Sequence, residues 1–349
     1  MAVRLQDVAA QAGVSVKTVS NVVNGYVHVA PGTRARVEAA ISELGYRPNL
    51  SARNLRGGRS GIIALAVPEI GVPYFAELAQ EIVAAASDRG FTVLIDQTEG
   101  RADQEKLVLE GIRAHLIDGL IFSPLATGQQ ELSQREDTTP LVLLGERGTD
   151  CLADRVAIDN VAAAREAVVH LARLGRRQVA AIGAQHDDTM MTARLRLEGY
   201  REGLGQAGLA YDPGLVAEAP AFHRLEGARA MARLLDGPEM PDAVFAFSDL
   251  LALGALRACH DRGIRVPEDI AIVGFDDIED GRYSVPALST ISPDKEQIAR
   301  LALDLLVTRL GRDQEAPYEP RHCVARHQLI VRESSAGAAG SVPLWARSA

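Results

Sequence analysis

Leu5-Gln-Asp-Val-Ala-Ala-Gln-Ala-Gly13-Val-Ser15-Val-Lys17-Thr-Val-Ser-Asn21-Val-Val-Asn24 reads as helix, tight turn, helix. Val8, Ala9 and Ala12 share one face of the first helix, and Gly13 supplies the positive φ that the turn requires. Ser15 is placed to cap the second helix, on which Val19, Val22 and Val23 face inward. Ala9 is small where the two helices would cross. Together these features make a helix-turn-helix pattern; the plainer alternative is a generic helical hairpin. In a DNA-reading version the second helix enters the major groove with its N-terminal side chains on base edges. Val16, Lys17 and Asn21 point away from the valine face. Lys17 can donate to guanine O6 and N7, Asn21 can pair with base edges, and Val16 can pack on a thymine methyl. Ser15, Thr18 and Ser20 suit phosphate, a contact that positions without specifying.

Downstream, Val37, Ala40, Ile41 and Leu44 recur at i, i+3, i+4 and i+7, which predicts a third, amphipathic helix between Pro31 and Gly45. Tyr46 and Pro48 stop it. There follows Arg47-Pro-Asn49-Leu-Ser-Ala-Arg53-Asn-Leu55-Arg56-Gly-Gly-Arg59-Ser60. Asn49 can cap one or two helical turns over Leu50 to Leu55, and Gly57-Gly58 would end them. So short a helix is marginal in water, because nucleation costs more than a few bonds return. It is expected to be poorly ordered or non-helical without DNA. Arg53, Arg56 and Arg59 line it around one apolar residue, Leu55.

The quoted segments, with Leu44-Gly-Tyr-Arg-Pro-Asn49 and the run Ser51 to Pro68, resemble the N-terminus of the lactose-repressor/galactose-repressor (LacI/GalR) family. The resemblance implies that two hinge helices of a dimer fold together in the minor groove, each inserting a leucine; Leu55 holds that position. An apolar wedge between base steps, flanked by arginines on phosphate, is independently sound chemistry. Ala30 before Pro31 departs from the hydroxyl cap that many family members carry.

The charge distribution agrees. The chain of 349 residues has a formal charge of −9, yet residues 1–60 carry +5 and the remainder −14. A small basic module on an acidic body is the footprint of a nucleic-acid reader. Lysine occurs only at Lys17, Lys106 and Lys295 among 37 basic residues, which GC-rich codon bias accounts for. Cys151, Cys259 and Cys323 are odd in number and lack metal or redox spacing, as in reduced cytosolic proteins. No run is apolar enough for a signal peptide or a membrane span, so a cytoplasmic location is expected.

From Gly61 short apolar strands alternate with helices, the pattern of an α/β protein. Ile62–Val67, Thr92–Ile95, Gly119–Phe122, Leu141–Leu144, Gln178–Ile182, Ala243–Phe247 and Ile270–Val273 read as buried parallel strands. The strand count exceeds one sheet and the chain restarts near Asp159-Asn160, which predicts two doubly wound subdomains. The resemblance implies a periplasmic-binding-protein-like body crossed three times, near 159–162, 289–293 and 322–324. The expected organisation is a helix-turn-helix domain at 1–48, a hinge at 49–60 and an effector-binding and dimerisation body at 61–335. Within that body 61–160 would join 292–322, and 161–291 would join 323–335. Residues 336–349 are small-residue rich and expected to be disordered, without the apolar heptads of a tetramerising helix.

In open α/β sheets ligands sit beyond the carboxyl ends of strands. Tyr74 and Phe75 follow the first strand; Ser123 and Glu146 follow the third and fourth. Thr192 and Arg196 share a helix face, Phe222 precedes a helix, Ser248 and Asp249 follow Phe247, and Asp276 follows Phe275. The resemblance implies effector contacts at Arg196, Phe222, Ser248 and Asp276, and in some branches at Tyr74, Phe75 and Thr192. Arg and Asp can each bind two hydroxyls, and an aromatic can cover a sugar ring. The plainer roles are helix or turn caps for Asp249 and Asp276, and core packing for Phe75 and Phe222.

Other signals fail on context. Gly203-Leu-Gly205-Gln-Ala-Gly208 ends a helix instead of joining strand to helix, so it is no dinucleotide loop. Asp276 to Gly281 lacks the alternate-residue ligands of a calcium loop. His322, Cys323 and His327 are unevenly spaced along what reads as one strand. No catalytic motif and no cofactor site is evident. The sequence thus points to a homodimeric, ligand-responsive repressor of sugar-utilisation genes that binds a near-palindromic operator. The alternatives are a repressor responding to a purine co-repressor, a sugar-binding transport protein sharing the body fold, and an α/β enzyme.

Overall fold

Gly13 and Gly45, each following a helix, adopt φ of 64° and 63°, the left-handed conformation that ends a helix where a side chain would strain it. They delimit α1 (Leu5–Ala12), α2 (Val16–Val23) and α3 (Pro31–Leu44). The computed structural model describes residues 3–23, 26, 28–46, 59–111, 116–147, 153–185, 191–312 and 318–337. The expected hinge turns from Asn49 to Arg56, and the tail beyond Gly337, lie outside these residues. Val8, Ala9, Ala12, Val19, Val22, Val37, Ala40 and Tyr46 form the core of the three-helix head, with Val23, Ile41 and Leu44 half-buried around it. Ser15 caps α2 as expected: its Oγ accepts the Thr18 backbone N–H at 3.1 Å and meets the Thr18 hydroxyl at 2.9 Å. Ala30 offers α3 no side-chain cap, and Pro31 opens the helix. Residues 1–60 and 61–349 separate as two compact units.

The second unit is built on two six-stranded sheets. In chain order its elements are β1 (Ile62–Val67), α4 (Pro73–Ser87), β2 (Thr92–Gln97), α5 (Ala102–Leu109), β3 (Gly119–Phe122), α6 (Gln129–Ser133), β4 (Leu141–Leu144) and β5 (Asp154–Ile158). Then come α7 (Asn160–Arg173), β6 (Val179–Ala184), α8 (Met191–Gln206), β7 (Val216–Glu218), α9 (Arg224–Leu235), β8 (Ala243–Ala246), α10 (Asp249–Asp261) and β9 (Ala271–Phe275). The chain ends with α11 (Glu279–Arg282), β10 (Ser289–Pro293), α12 (Lys295–Leu310), β11 (His322–Ala325), β12 (His327–Ile330) and α13 (Glu333–Ala336). The first sheet runs β11-β5-β4-β3-β1-β2 and the second β12-β10-β9-β8-β6-β7. Every pairing is parallel except β10 with β12. Parallel strands with helices on both faces must be apolar throughout, which is why β3, β4, β8 and β9 are buried along their whole length.

The chain passes between sheets three times, at Asp159, Asp294 and Arg326, one residue each time. Two of these residues cap the helix that follows: Asp159 accepts from Ala162 N–H at 2.9 Å and Asp294 from Gln297 N–H at 2.8 Å. Asp294 and Arg326 also bind each other, side chain to side chain at 2.9 Å and Asp294 N–H to the Arg326 carbonyl at 2.9 Å. This corrects the expected boundaries. Ser292 and Pro293 pair with Gln328 and His327 in the second sheet, and Cys323 to Ala325 pair with Val156 to Ile158 in the first. The segment from His322 to Ile330 reads as one strand because a single residue, Arg326, separates two strands of different sheets.

β2 also departs from expectation. It pairs only with β1 at the sheet edge, and Leu94 and Ile95 are 40% and 48% exposed. β5, β7 and β10 escape sequence reading because they are short or carry Asp, Arg, Ser and Thr among few apolar residues.

Glycines bring the helix pairs of the second sheet into backbone contact. A Cβ on Gly254 of α10 would stand 1.9 Å from the Arg224 carbonyl oxygen at the start of α9, and one on Gly199 of α8 would stand 2.2 Å from that of Val161 in α7. Gly203 likewise packs on Val168 while Gly208 turns with φ of 67°, so the apparent dinucleotide motif is helix packing followed by a loop. Gly254→Ala should therefore force α9 and α10 apart and cost about 1–3 kcal/mol or more. Urea unfolding of the variant will measure this, and a loss no larger than for a surface substitution would contradict the close approach.

Candidate functional site

On the head, Ser15, Val16 and Lys17 are exposed on the first turn of α2, while Thr18 and Asn21 are half-buried beside them. Val16 is 42% exposed although it is apolar, whereas Val19 and Val22, further along the helix, are buried. The helix thus presents one lysine, one asparagine and one apolar side chain outward, a set suited to base edges. Arg53, Leu55 and Arg56 lie outside the described residues.

In the body, a cavity of about 270 Å³ opens between the carboxyl ends of the two sheets. Tyr74, Phe75, Ser123, Glu146, Thr192, Arg196, Phe222, Ser248 and Asp276 all line it. Its volume falls just below the range of about 300–1,000 Å³ usual for drug-sized ligands, so it suits a small one. Asp249 is the candidate that does not reach it. That carboxylate lies behind the wall, fully buried, where it accepts from the Thr290 hydroxyl at 2.6 Å and from Ile278 N–H at 3.0 Å. Burial raises its pKa well above the usual carboxylate range. Asp249 therefore supports the turn after β9, the plainer of its two roles.

Arg196 organises the polar side. It is 7% exposed, and its Nε donates to Asn160 Oδ1 at 2.8 Å while Nη1 donates to the Phe247 carbonyl. Its Cζ lies 3.4 Å from the centre of the Phe275 ring. Nη2 stands 3.9 Å from Asp276 Oδ1, an ion pair beyond hydrogen-bond length. Burial lowers the Arg196 pKa, opposed by Asp276 and Glu146. Burial raises the Asp276 carboxyl to about 6, against the pull of Arg196.

Glu146, arriving from β4 on the other sheet, accepts from Thr192 Oγ1 at 2.9 Å and from Asn160 Nδ2. One carboxylate thereby ties α7 and α8 across the cleft. Asn160, 2% exposed, is the residue that sequence reasoning missed. It follows β5, itself unrecognised, so the rule of inspecting strand ends passed over it; its place at the restart of the α/β pattern was the available signal.

The apolar walls come from Tyr74 and Phe75, edge to face at 5.3 Å, with Phe222 opposite. Phe75 and Phe222 also pack against the two cores, so each is both core and wall. Burial, then Asp276 and Glu146, push the Tyr74 hydroxyl far above its ordinary pKa, which keeps it a donor. Donors, carboxylate acceptors and aromatic faces around a small cavity are chemically suited to hydroxyl groups on a ring.

Residues 4–49 match the profile of the bacterial regulatory proteins of the lacI family, and residues 168–335 match a periplasmic binding protein-like domain. The HTH-type transcriptional repressor CytR of Escherichia coli is 34% identical over 310 residues, spanning 88% of this chain and 90% of that protein. The chain belongs to the LacI family. The ribose operon repressor of Escherichia coli is also 34% identical, over 88% of this chain and 92% of its own. Among solved structures, the lac repressor dimer bound to operator and the anti-inducer ONPF aligns with a TM-score of 0.83 at 28% identity, covering 96% of this chain and 99% of that one. The match extends over both the head and the two-sheet body of this LacI-family chain.

The raised carboxyl of Asp276 has a consequence for stability. With no ligand bound, the folded state holds the Asp276 proton more tightly than the unfolded chain does. Its favourable contribution is complete below the unfolded value near 3.8 and is lost as pH rises to about 6. Wild type should therefore lose roughly 2–3 kcal/mol relative to Asp276→Asn between those limits. Urea unfolding of both proteins from pH 4 to pH 7 checks this; parallel pH profiles would show that Asp276 titrates normally.

Proposed function

We propose that the chain is a homodimeric, cytoplasmic repressor whose hold on a near-palindromic operator is set by a small sugar, or a ligand carrying one, bound between the subdomains. The observation that carries the ligand class is the 3.9 Å gap between Arg196 and Asp276. A vicinal diol can accept from the guanidinium and donate to the carboxylate at once, with an aromatic wall on the ring's apolar face. The ribose operon repressor among the relatives supports the ligand class, and the lac repressor dimer on operator supports the assembly and the DNA.

On this reading the head comprises residues 1–48 and the hinge 49–60. Two heads occupy half-sites one helical turn apart, and Leu55 of each hinge wedges the centre. The ligand changes the angle between the two sheets and so the spacing at which the hinges leave the body. A coupling of about 1–3 kcal/mol gives a 5- to 150-fold change in operator affinity. Among the described residues no helix is long and apolar enough to cross a membrane. The helix-turn-helix head disfavours the transport-protein alternative, and the relatives' role as transcriptional repressors supports a regulatory reading over the enzyme one.

Thermal-shift screening against D-ribose, D-galactose, D-glucose, cellobiose, adenine and hypoxanthine tests the ligand class. Stabilisation by at least one sugar and not by the free purines is expected; the reverse pattern would transfer the protein to the purine-responsive alternative. Selection of operator sequence from random DNA tests the other half. On the selected site Leu55→Ala should weaken binding by about 1 kcal/mol or more with ligand binding intact. Lys17→Ala should relax preference at one defined position per half-site, whereas a uniform loss over all sequences would make it a phosphate contact.

A further inference from the structure

Lys295 is one of three lysines in a chain that otherwise uses arginine, and the candidate site leaves it unused. It opens α12, a helix packed on the first sheet, yet its ammonium lies against the turn that follows β9 of the second. Nζ is 2.6 Å from the Asp276 carbonyl oxygen, 3.2 Å from that of Asp277 and 2.8 Å from Glu77 Oε2 on α4. The side chain is 11% exposed. Three acceptors converge on a group with three N–H donors. A planar guanidinium, with its donors spread along a rigid fork, cannot gather three oxygens about one point.

The turn needs such a hold. Asp276 and Asp277 have φ of 117° and 48°, two consecutive non-glycine residues in a region that side chains disfavour. Such backbone is disfavoured and persists where its surroundings over-determine it. Asp276 sends its carboxylate into the cavity. Asp277 sends its own the other way, to Arg332 at 2.6 Å, Arg282 at 3.1 Å and Ser292 at 3.0 Å. The second oxygen of Glu77 accepts from Glu279 N–H at 2.9 Å, so one carboxylate grips both the lysine and the start of α11.

We propose that Lys295 is a positioning residue of the ligand site: from the first-sheet subdomain, its ammonium holds the Asp276–Asp277 turn in the shape that aims Asp276 at the ligand, and Glu77 completes the clasp. Lys295 directly follows the crossing residue Asp294, so the clasp ties the shape of the ligand-facing turn to the joint between the subdomains. This rests on the sugar-binding reading for the ligand, but not for the clasp itself.

Hydrogen exchange of the full-length, ligand-free protein separates the two. Lys295→Met should accelerate exchange in the peptide spanning 276–282 by about tenfold or more, with the peptides of α2 and β6 unchanged. Lys295→Arg should not restore protection. Should Lys295→Met disturb the whole fold, Glu77→Gln provides the second reading: with its charge and one acceptor gone, it should loosen the same peptide alone. Unchanged exchange at 276–282 in both variants overturns the clasp, and full rescue by arginine overturns its three-oxygen geometry. Titrated with D-ribose, or whichever compound of the screen stabilises wild type, Lys295→Met should bind about tenfold or more weakly. Wild-type affinity in a variant whose turn has loosened would refute the positioning role. Absence of binding by any compound to wild type would instead defeat the sugar reading and leave the exchange result standing.

Discussion

A guanidinium inside a closed cavity has to be paid for in hydrogen bonds, and Arg196 dictates how this body is arranged around its ligand site. The residues that satisfy it come from separate parts of the second-sheet subdomain: Asn160 begins α7, Phe247 follows β8, and Asp276 follows β9. Glu146 adds the other subdomain by binding Asn160 and Thr192. A charged group left unpaired there would cost several kcal/mol, so these elements must meet where they do. The same arrangement leaves Arg196 Nη2 and Asp276 Oδ1 3.9 Å apart, both facing the cavity.

Much of this was legible in the chain itself. The head is a local fold in which the core positions of its helices are set by helical period, so Val8, Ala9, Val19 and Val37 could be placed from spacing alone. The site was legible at the level of position because ligands sit at strand ends, and nine of ten candidates line the cavity. What stayed hidden depends on tertiary pairing. Asp249 follows a strand like its neighbours, yet Thr290 and Ile278 take up its carboxylate, and only the fold brings them together. Asn160 and Lys295 gain their roles from oxygens distant in sequence, for which no periodicity exists. The edge position of β2 was equally invisible, since a short apolar run such as Val93-Leu94-Ile95 does not reveal whether strands pair on both of its sides.

Two kinds of packing coexist in the body. Within the second-sheet subdomain, Gly199, Gly227 and Gly254 let helix backbones touch, so each helix pair moves as a block. Between the subdomains Ile158 packs against both cores, and several contacts are polar: Glu146 with Thr192, Lys295 with the carbonyls of Asp276 and Asp277, and Glu69 with His223 at 3.5 Å. Polar contacts can exchange partners with water at little net cost, whereas an apolar seam could not open so cheaply. Rigid blocks joined by exchangeable contacts suit a receptor that changes state.

The single-residue crossings at Asp159, Asp294 and Arg326 restrict what that change can be. Each offers only two soft backbone dihedrals, and two of the three are bonded to each other. A joint so short can turn but has no slack with which to slide. The two sheets therefore behave like covers on a stiff spine. A small rotation at the spine moves the outer rim of the cleft furthest, so a ligand small enough to fit beside Arg196 has mechanical advantage over parts of the molecule it never touches.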